Sequence, residues 1–195
     1  MTAPERPELS LTPDDVWSGD GKGDQRIAEL LVAVHALPTS HTAEEAQDLF
    51  WQIDNVAVVQ GFLYPAGPKV LPVLLAGLGS ATPAGRPVLL NAIYEIASGS
   101  PSHRLSIHER EHIQMNLLQS VDAVRAVLIE MLFHGSDHEA HTAADLLALI
   151  FTAPQRFVMP ALIKPQEFQD LLTALSSQPA RQRHLARNAG LTVPG

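Results

Sequence analysis

The residues that most suggest chemistry are histidines next to acidic side chains. The first group, His108-Glu109-Arg110-Glu111-His112, matches the pattern H-E-x-x-H. On a helix the two histidines of this pattern share a face and can hold zinc, while the glutamate activates water. However, Arg110 and Glu111 place charges where metalloproteases normally have none, and no second motif supplies a third ligand. A charged helix start with surface histidines explains the same residues, and Glu109 and Glu111 in a first turn suit the helix dipole without any metal.

A second histidine group lies further along the chain, between 134 and 141. His138 and His141 are three residues apart, which places them side by side on a helix, and Asp137 can cap that helix or bind a metal. One hypothesis is therefore a metal-dependent hydrolase or hydroxylase that uses His108, Glu109, His112 and His138. The alternative is solvated histidines without a cofactor, so the sequence predicts no cofactor and does not establish an enzyme.

The elements that would position these groups are predicted to be helices. Apolar residues recur with helical spacing from Ile27 to Leu37, where Pro38 ends the helix. Two capping boxes, Thr42 with Glu45 and Ser106 with Glu109, mark helix starts. Helices are also predicted over 66–78 and 83–98, whereas alternating strand patterns and Asn-Gly or Asp-Gly hairpin turns are nearly absent. These patterns predict an all-α fold.

The chain also contains an internal repeat. With a shift of 54 residues, segment 70–96 aligns with 124–150 without a gap. Five positions are identical, and the break between the two helices falls at the same place in both segments. The matched pairs are Val70 and Val124, Val73 and Val127, Leu74 and Leu128, Leu78 and Leu132, and Ile96 and Ile150. A helical hairpin cannot cover its own apolar face, so the repeat predicts hairpins that stack on one another.

Residues Trp51 to Gly99 resemble bacterial HEAT-repeat (armadillo-like) proteins. The resemblance is carried by Val59-Gln60-Gly61, Tyr64-Pro65-Ala66, Val70-Leu71-Pro72-Val73-Leu74 and the helix that ends at Gly99. It implies an all-α, HEAT/armadillo-like α-α superhelix of about four to five helical hairpins that binds other proteins. The pairs His108-Glu109 and His138-Glu139 also resemble the iron-binding pairs of HEAT-like deoxyhypusine hydroxylases, a family that carries four such pairs where this chain has two.

Composition excludes several classes of function. The chain has 195 residues, a formal net charge of −8 and no cysteine. The absence of cysteine excludes disulfides and thiolate catalysis, and the acidic balance argues against nucleic acid as a partner. No secretory signal or membrane span is evident, which predicts a cytoplasmic protein. We expect residues 1–23 to form a mostly irregular tail, with a short turn at Thr12-Pro13-Asp14-Asp15 that Thr12 can cap. Residues 24–195 are expected to form a single HEAT-like α-solenoid domain.

The predicted function is non-catalytic binding of another protein. Aromatic and acidic residues around 48–64 and 86–95 form the candidate surface, since Trp and Tyr are enriched at binding hot spots. The candidate binding residues are Trp51, Asp54, Phe62, Tyr64, Tyr94 and Glu95. An acidic surface suits a basic partner, and a toxin-neutralising immunity protein is the more specific form of this prediction. Basic residues of the last predicted helix, from Arg181 to Arg187, either complement the carbonyls of that helix or contact an acidic partner.

Overall fold

Helices make up most of the computed structural model, which describes residues 9–16, 21–156 and 162–192. This confirms the predicted all-α class. Within the described residues the α-helices are α1 (Gly23–Ala36), α2 (Ala43–Ala57), α3 (Ala66–Gly77), α4 (Gly85–Ser98), α5 (Ile107–Asp122), α6 (Arg125–His134), α7 (Asp137–Arg156), α8 (Pro165–Ala174) and α9 (Pro179–Asn188). In the same ranges, none of these helices combines the length and the apolar composition that crossing a membrane requires.

The contacts within the chain separate two compact units, Met1–Ile113 and Gln114–Gly195. The single solenoid domain over 24–195 stays a prediction. The boundary falls inside α5. All the buried residues of this helix, namely Gln114, Leu117, Leu118 and Val121, belong to the second unit. The first half of α5 therefore contributes no buried side chain to a core.

In the first unit, four helices form two hairpins that pack on each other. α1 packs on α2 and α3 on α4, while α1 also contacts α3 and α2 contacts α4. The core between them is formed by Leu30, Val34, Ile53, Leu74 and Ile93, all of which are almost completely buried. Burial of these apolar stripes is the main stabilising term for helices of this length.

The predicted helix ends in this unit are confirmed. α1 ends before Pro38, and Thr42 caps α2 by accepting a hydrogen bond from the amide of Glu45 at 3.1 Å. The carboxylate of Glu45 in turn accepts a hydrogen bond from the amide of His41 at 2.7 Å. In a capping box the Glu45 carboxylate would bond to the amide of Thr42, whereas here it bonds to the amide one residue earlier, that of His41.

A small sheet follows α2, which the sequence analysis did not predict. β1 (Val58–Val59) pairs antiparallel with β2 (Phe62–Leu63), and β2 pairs parallel with β3 (Ser100–Pro101). The turn between β1 and β2 consists of Gln60 and Gly61, which have φ values of 53° and 78°. Two consecutive positive φ angles are the mark of a type I′ turn, which normally has Asn or Asp followed by Gly.

The described part of the N-terminal segment contains a short turn. Residues Pro13–Asp15 form a 3₁₀ turn that Thr12 and Asp15 close with a capping box. Asp15 is buried and receives a hydrogen bond from Lys69 of α3 at 2.7 Å. Burial raises the pKa of Asp15, but the bonds from Lys69 and Thr12 outweigh it and lower the pKa overall. The turn predicted at Thr12-Pro13-Asp14-Asp15 is therefore confirmed, and it docks on α3 through Asp15.

The second unit contains the second copy of the internal repeat. α6 and α7 form a helical hairpin that corresponds in position to α3 and α4. Three of the repeated apolar positions, those of Leu128, Leu132 and Ile150, are fully buried, as are their counterparts in the first unit. α7 also packs on α9, and Phe151 stacks on Phe168 of α8 with ring centroids 4.1 Å apart.

Candidate functional site

Two exposed aromatic side chains of the first unit lie on α2 and on the hairpin that follows it. Trp51 is 49% exposed and Phe62 is 51% exposed. The neighbouring Phe50 is buried and contacts the Trp51 ring edge to face, with centroids 5.1 Å apart. Because successive residues of a helix point about 100° apart, burial of Phe50 turns Trp51 toward the surface while the contact limits its freedom.

Two carboxylates, Asp54 on α2 and Glu95 on α4, are half-buried, and the charge of Asp54 acts on Glu95. Burial raises the pKa of Asp54, and burial together with the charge of Asp54 raises the pKa of Glu95. Within the part of the chain that the structure describes, neither carboxylate has a hydrogen-bond or ion-pair partner. α2 and α4 therefore hold two negative charges near each other without a cation to balance them.

The remaining predicted binding residues are tyrosines, and both are half-buried. Tyr64 follows β2, and its amide donates a hydrogen bond to the carbonyl of Ala57 at 2.9 Å. Tyr94 immediately precedes Glu95 on α4. The structure thus brings Asp54 and Glu95 together and places Trp51 on the same helix as Asp54, whereas Phe62 and Tyr64 are carried by the hairpin.

Next to Trp51 lies a cleft of about 330 Å³ between α1 and α2. Trp51 and Asn55 line it from α2, while Gln25, Arg26 and Glu29 are among the residues that line it from α1. The Gln25 side chain donates a hydrogen bond to the Glu29 carboxylate at 2.8 Å. This cleft was not predicted from the sequence, although polar residues at i and i+4 on α1 and the pair Trp51 and Asn55 on α2 indicate which faces meet there.

The H-E-x-x-H residues lie in the first half of α5, where no side chain is buried. His108, Glu109 and His112 are all exposed. The carboxylate of Glu109 accepts a hydrogen bond from the amide of Ser106 at 2.8 Å, and the Ser106 hydroxyl accepts one from the amide of Glu109 at 3.3 Å. These bonds lower the pKa of Glu109 and confirm the predicted capping box.

His138 belongs to the second unit, whereas His108, Glu109 and His112 belong to the first. It is exposed in the first turn of α7, next to the buried Glu139. Glu139 accepts a hydrogen bond from the amide of Ser136 at 2.7 Å. The second His-Glu pair therefore begins a helix in the same way as the first, through a glutamate that caps the helix.

One basic residue of α9, Arg181, complements the C-terminal end of a different helix, α6, while Arg187 lies in the last turn of α9 itself. The guanidinium of Arg181 donates hydrogen bonds of 2.8 Å to the carbonyls of Leu132, Phe133 and Gly135, at the C-terminal end of α6. Those carbonyls have no partner inside α6, so the planar fork of Arg181 satisfies them instead. Arg183 and Arg187 are exposed.

A second cluster at the contact of α7 and α9 was also missed. Nε2 of His184 lies 2.7 Å from Oδ1 of Asp145, and the Asn188 amide donates to the same oxygen. The ring of His141 stacks on the ring of His184 with centroids 4.4 Å apart. The only signal in the sequence is the spacing of four residues, from His141 to Asp145 and from His184 to Asn188, which places each pair on one helix face.

No family model, curated protein or solved structure matches this chain. The resemblance of Trp51 to Gly99 to HEAT repeats therefore rests on those residues alone.

The described residues do not support the metal-dependent hypothesis built on the first histidine groups. Across 9–16, 21–156 and 162–192, no three His, Asp or Glu side chains are arranged to hold a metal ion. The hypothesis that His108, Glu109, His112 and His138 bind a metal stays a prediction from spacing. The surface around Trp51, Asp54 and Glu95 is the better candidate site, because its two carboxylates have no partner of opposite charge.

Proposed function

We propose that this chain is a non-catalytic module that binds a basic protein through the surface of Trp51, Asp54 and Glu95. The observation that carries the proposal is the pair of half-buried carboxylates on α2 and α4: burial raises the pKa of both groups, and the charge of Asp54 raises that of Glu95 further. A pair of like charges in this setting is an unfavourable arrangement that a cation would relieve.

The chemistry of the pair favours a lysine or arginine side chain of the partner as its ligand. A cation near Asp54 and Glu95 lowers the pKa of both groups and replaces repulsion by charge-assisted hydrogen bonds. A guanidinium presents five donors in one plane and can engage both carboxylates at once. Because both groups are already half-buried, part of their desolvation is complete before the partner arrives.

Trp51 supplies the aromatic part of the same surface. It lies three residues before Asp54 on α2, so the two side chains share one side of the helix. An exposed tryptophan held by a buried neighbour offers a large contact area with little loss of freedom on binding, and its face attracts cations. The net charge of −8 favours the approach of a basic protein over that of an acidic one.

The proposed architecture is a HEAT/armadillo-like superhelix, of which the first unit contains two hairpins. The contacts of α1 with α3 and of α2 with α4 support this proposal, because stacked hairpins in a solenoid form two layers in this way. In its specific form, the proposal is a bacterial, cytoplasmic immunity protein that neutralises a basic toxin. The acidic net charge supports this form, and the other predicted residues, Phe62, Tyr64 and Tyr94, extend the surface.

The experiment compares proteins captured from the native cell by two versions of the full chain. The wild type is the first bait, and Asp54→Asn/Glu95→Gln, which removes the charges without changing side-chain size, is the second. The matched control is Glu44→Gln/Glu130→Gln, since both of these acids are exposed and the net charge changes by the same amount.

The proposal predicts a basic protein that the wild type and the control capture equally and that the Asp54→Asn/Glu95→Gln variant loses. Trp51→Ala is expected to lose the same protein. If the Glu44→Gln/Glu130→Gln control loses the protein as well, the effect is one of net charge alone. If both Asp54→Asn/Glu95→Gln and Trp51→Ala still capture the protein, the interface lies elsewhere. Either result contradicts the proposal.

A further inference from the structure

The cleft between α1 and α2 combines a buried apolar side chain with an exposed aromatic ring. Val56 lines the cleft and is buried, whereas Trp51 lines it and is exposed. The edge-to-face contact with the buried ring of Phe50 limits the movement of the Trp51 ring. The volume of about 330 Å³ falls at the lower end of the range in which proteins bind small molecules. The cleft therefore offers an aromatic surface on which a flat ligand can stack.

The charge of the cleft is opposite to that of the whole chain. Lys22 and Arg26 line it with two positive charges and Glu29 with one negative charge, so the lining carries +1 whereas the chain carries −8. The Gln25 side chain donates a hydrogen bond of 2.8 Å to the Glu29 carboxylate, which satisfies part of that negative group. Lys22 precedes the first residue of α1, and the positive end of the dipole of this helix also favours an anion. A ligand with one negative charge balances this lining.

Trp51 lies between the cleft and the acidic pair of Asp54 and Glu95. Three residues of a helix turn by about 300° and four by about 400°. Asp54 therefore lies about 60° to one side of Trp51 on α2, and Asn55, which lines the cleft, lies about 40° to the other side. An anion in the cleft is thus on the opposite side of Trp51 from the carboxylate of Asp54.

We infer that this cleft binds a small aromatic carboxylate. Its ring stacks on Trp51, and its carboxylate accepts charge-assisted hydrogen bonds from Arg26 and Lys22. The guanidinium can hold both carboxylate oxygens at once. The side-chain amides of Gln52 and Asn55, which also line the cleft, can donate to or accept from polar groups on the ring. A phosphate monoester, with up to two negative charges, matches the charge of the lining less well.

The test adds aromatic acids to the ¹⁵N-labelled chain and follows the indole N–H resonance of Trp51, which Trp51→Phe assigns, by NMR. The probes are benzoate, 2-naphthoate and indole-3-acetate. At least one is expected to bind saturably at a single site with a dissociation constant below about 1 mM, as ligands of this size can. Two matched probes, 2-naphthamide without the charge and cyclohexanecarboxylate without the aromatic ring, are expected to bind at least about tenfold more weakly than 2-naphthoate and benzoate, respectively.

Variants of the cleft locate the binding site, with broadening of the ligand resonances as the measurement. Arg26→Gln is expected to weaken carboxylate binding about tenfold, whereas Arg183→Gln, at an exposed arginine of α9, leaves it unchanged. Trp51→Leu is expected to weaken it as well, and Phe62→Leu is the control for an equally exposed aromatic residue.

The inference is independent of the proposed protein partner, because Asp54→Asn/Glu95→Gln is expected to bind the carboxylate as the wild type does. Circular dichroism of the free proteins shows which variants are folded. Three results overturn the site: no saturable binding of any of the three acids to the wild type, equal binding of 2-naphthoate and 2-naphthamide, or unchanged binding in folded Arg26→Gln and Trp51→Leu proteins. Tighter binding of phenyl phosphate than of benzoate overturns the preference for a carboxylate.

Discussion

Burial and, after it, the charge of Asp54 on α2 raise the pKa of Glu95 on α4, and neither carboxylate has a cationic partner among the described residues. Helix packing that places like charges near each other lowers the stability of the folded chain at neutral pH. Such an arrangement is typical of a site whose favourable partner comes from another molecule, because selection for stability alone removes it.

The first prediction concerns the stability effect of this pair. At pH values between its ordinary and its raised pKa, such a carboxyl group binds more protons in the folded state than in the unfolded state. The free energy of unfolding therefore falls as the pH rises through that interval. Asp54→Asn/Glu95→Gln is therefore expected to be more stable than the wild type at pH 7, by about 0.5 kcal/mol because both sites are partly solvated. Urea unfolding at pH 4 and pH 7 measures this difference; a less stable variant at pH 7 contradicts it.

The second prediction has the opposite sign and concerns the N-terminal turn. The hydrogen bond from Lys69 helps to lower the pKa of Asp15. This bond therefore stabilises the folded state fully at pH values above the ordinary carboxyl pKa. The contribution is lost as the pH falls through the lowered pKa of Asp15. Lys69→Met is expected to reduce stability at pH 7 by about 1 kcal/mol or less, since Lys69 is partly exposed.

The difference between wild type and Lys69→Met is expected to shrink between pH 5 and pH 2, in a series of urea unfolding curves. A difference that stays constant with pH shows that packing of the lysine stem is responsible and not the ion pair.

The third prediction tests the type I′ turn. Gly61 has a φ of 78°, a conformation that costs residues with a Cβ atom about 1 kcal/mol. Gly61→Ala is expected to lose about that amount in thermal or urea unfolding. Gly79→Ala is the control, because no atom lies within 4 Å of an added Cβ at either position and Gly79 does not require positive φ. Equal effects of the two substitutions contradict the turn.

The fourth prediction concerns Arg181. Its three bonds of 2.8 Å close the end of α6, and removing them leaves partly buried carbonyls without donors. Arg181→Ala is expected to lower the unfolding free energy by about 2 to 3 kcal/mol, whereas Arg183→Ala on the exposed face of the same helix changes it by less than about 0.5 kcal/mol. Arg181→Lys recovers part of the loss at most, because an ammonium lacks the planar fork.

The helices were predictable because their signals are local. Pro38, the Thr42 cap and the Ser106 capping box each act within one turn, and the structure confirms all three helix ends. The β1–β2 hairpin was missed because Gln60 occupies the turn position that Asn or Asp usually takes. Its remaining signal is the glycine at 61 between β-branched and aromatic residues.

The sites were less predictable because they depend on contacts between helices. The exposure of Trp51 follows from the burial of its neighbour Phe50, which helical periodicity indicates. In contrast, the meeting of Asp145 with His184 brings together residues 39 positions apart. The spacing of residues within one helix cannot predict such a pair. The hydrogen bonds from Arg181 to the end of α6 depend on tertiary packing in the same way.

The most direct measurement for the central claim is the dissociation constant of the captured basic protein at pH 7. We predict that Asp54→Asn/Glu95→Gln weakens binding about 30-fold or more, the loss expected when one side of a desolvated charge pair is removed. Glu44→Gln/Glu130→Gln is expected to remain within about threefold of the wild type. Equal affinities of the wild type and the Asp54→Asn/Glu95→Gln variant would contradict the account.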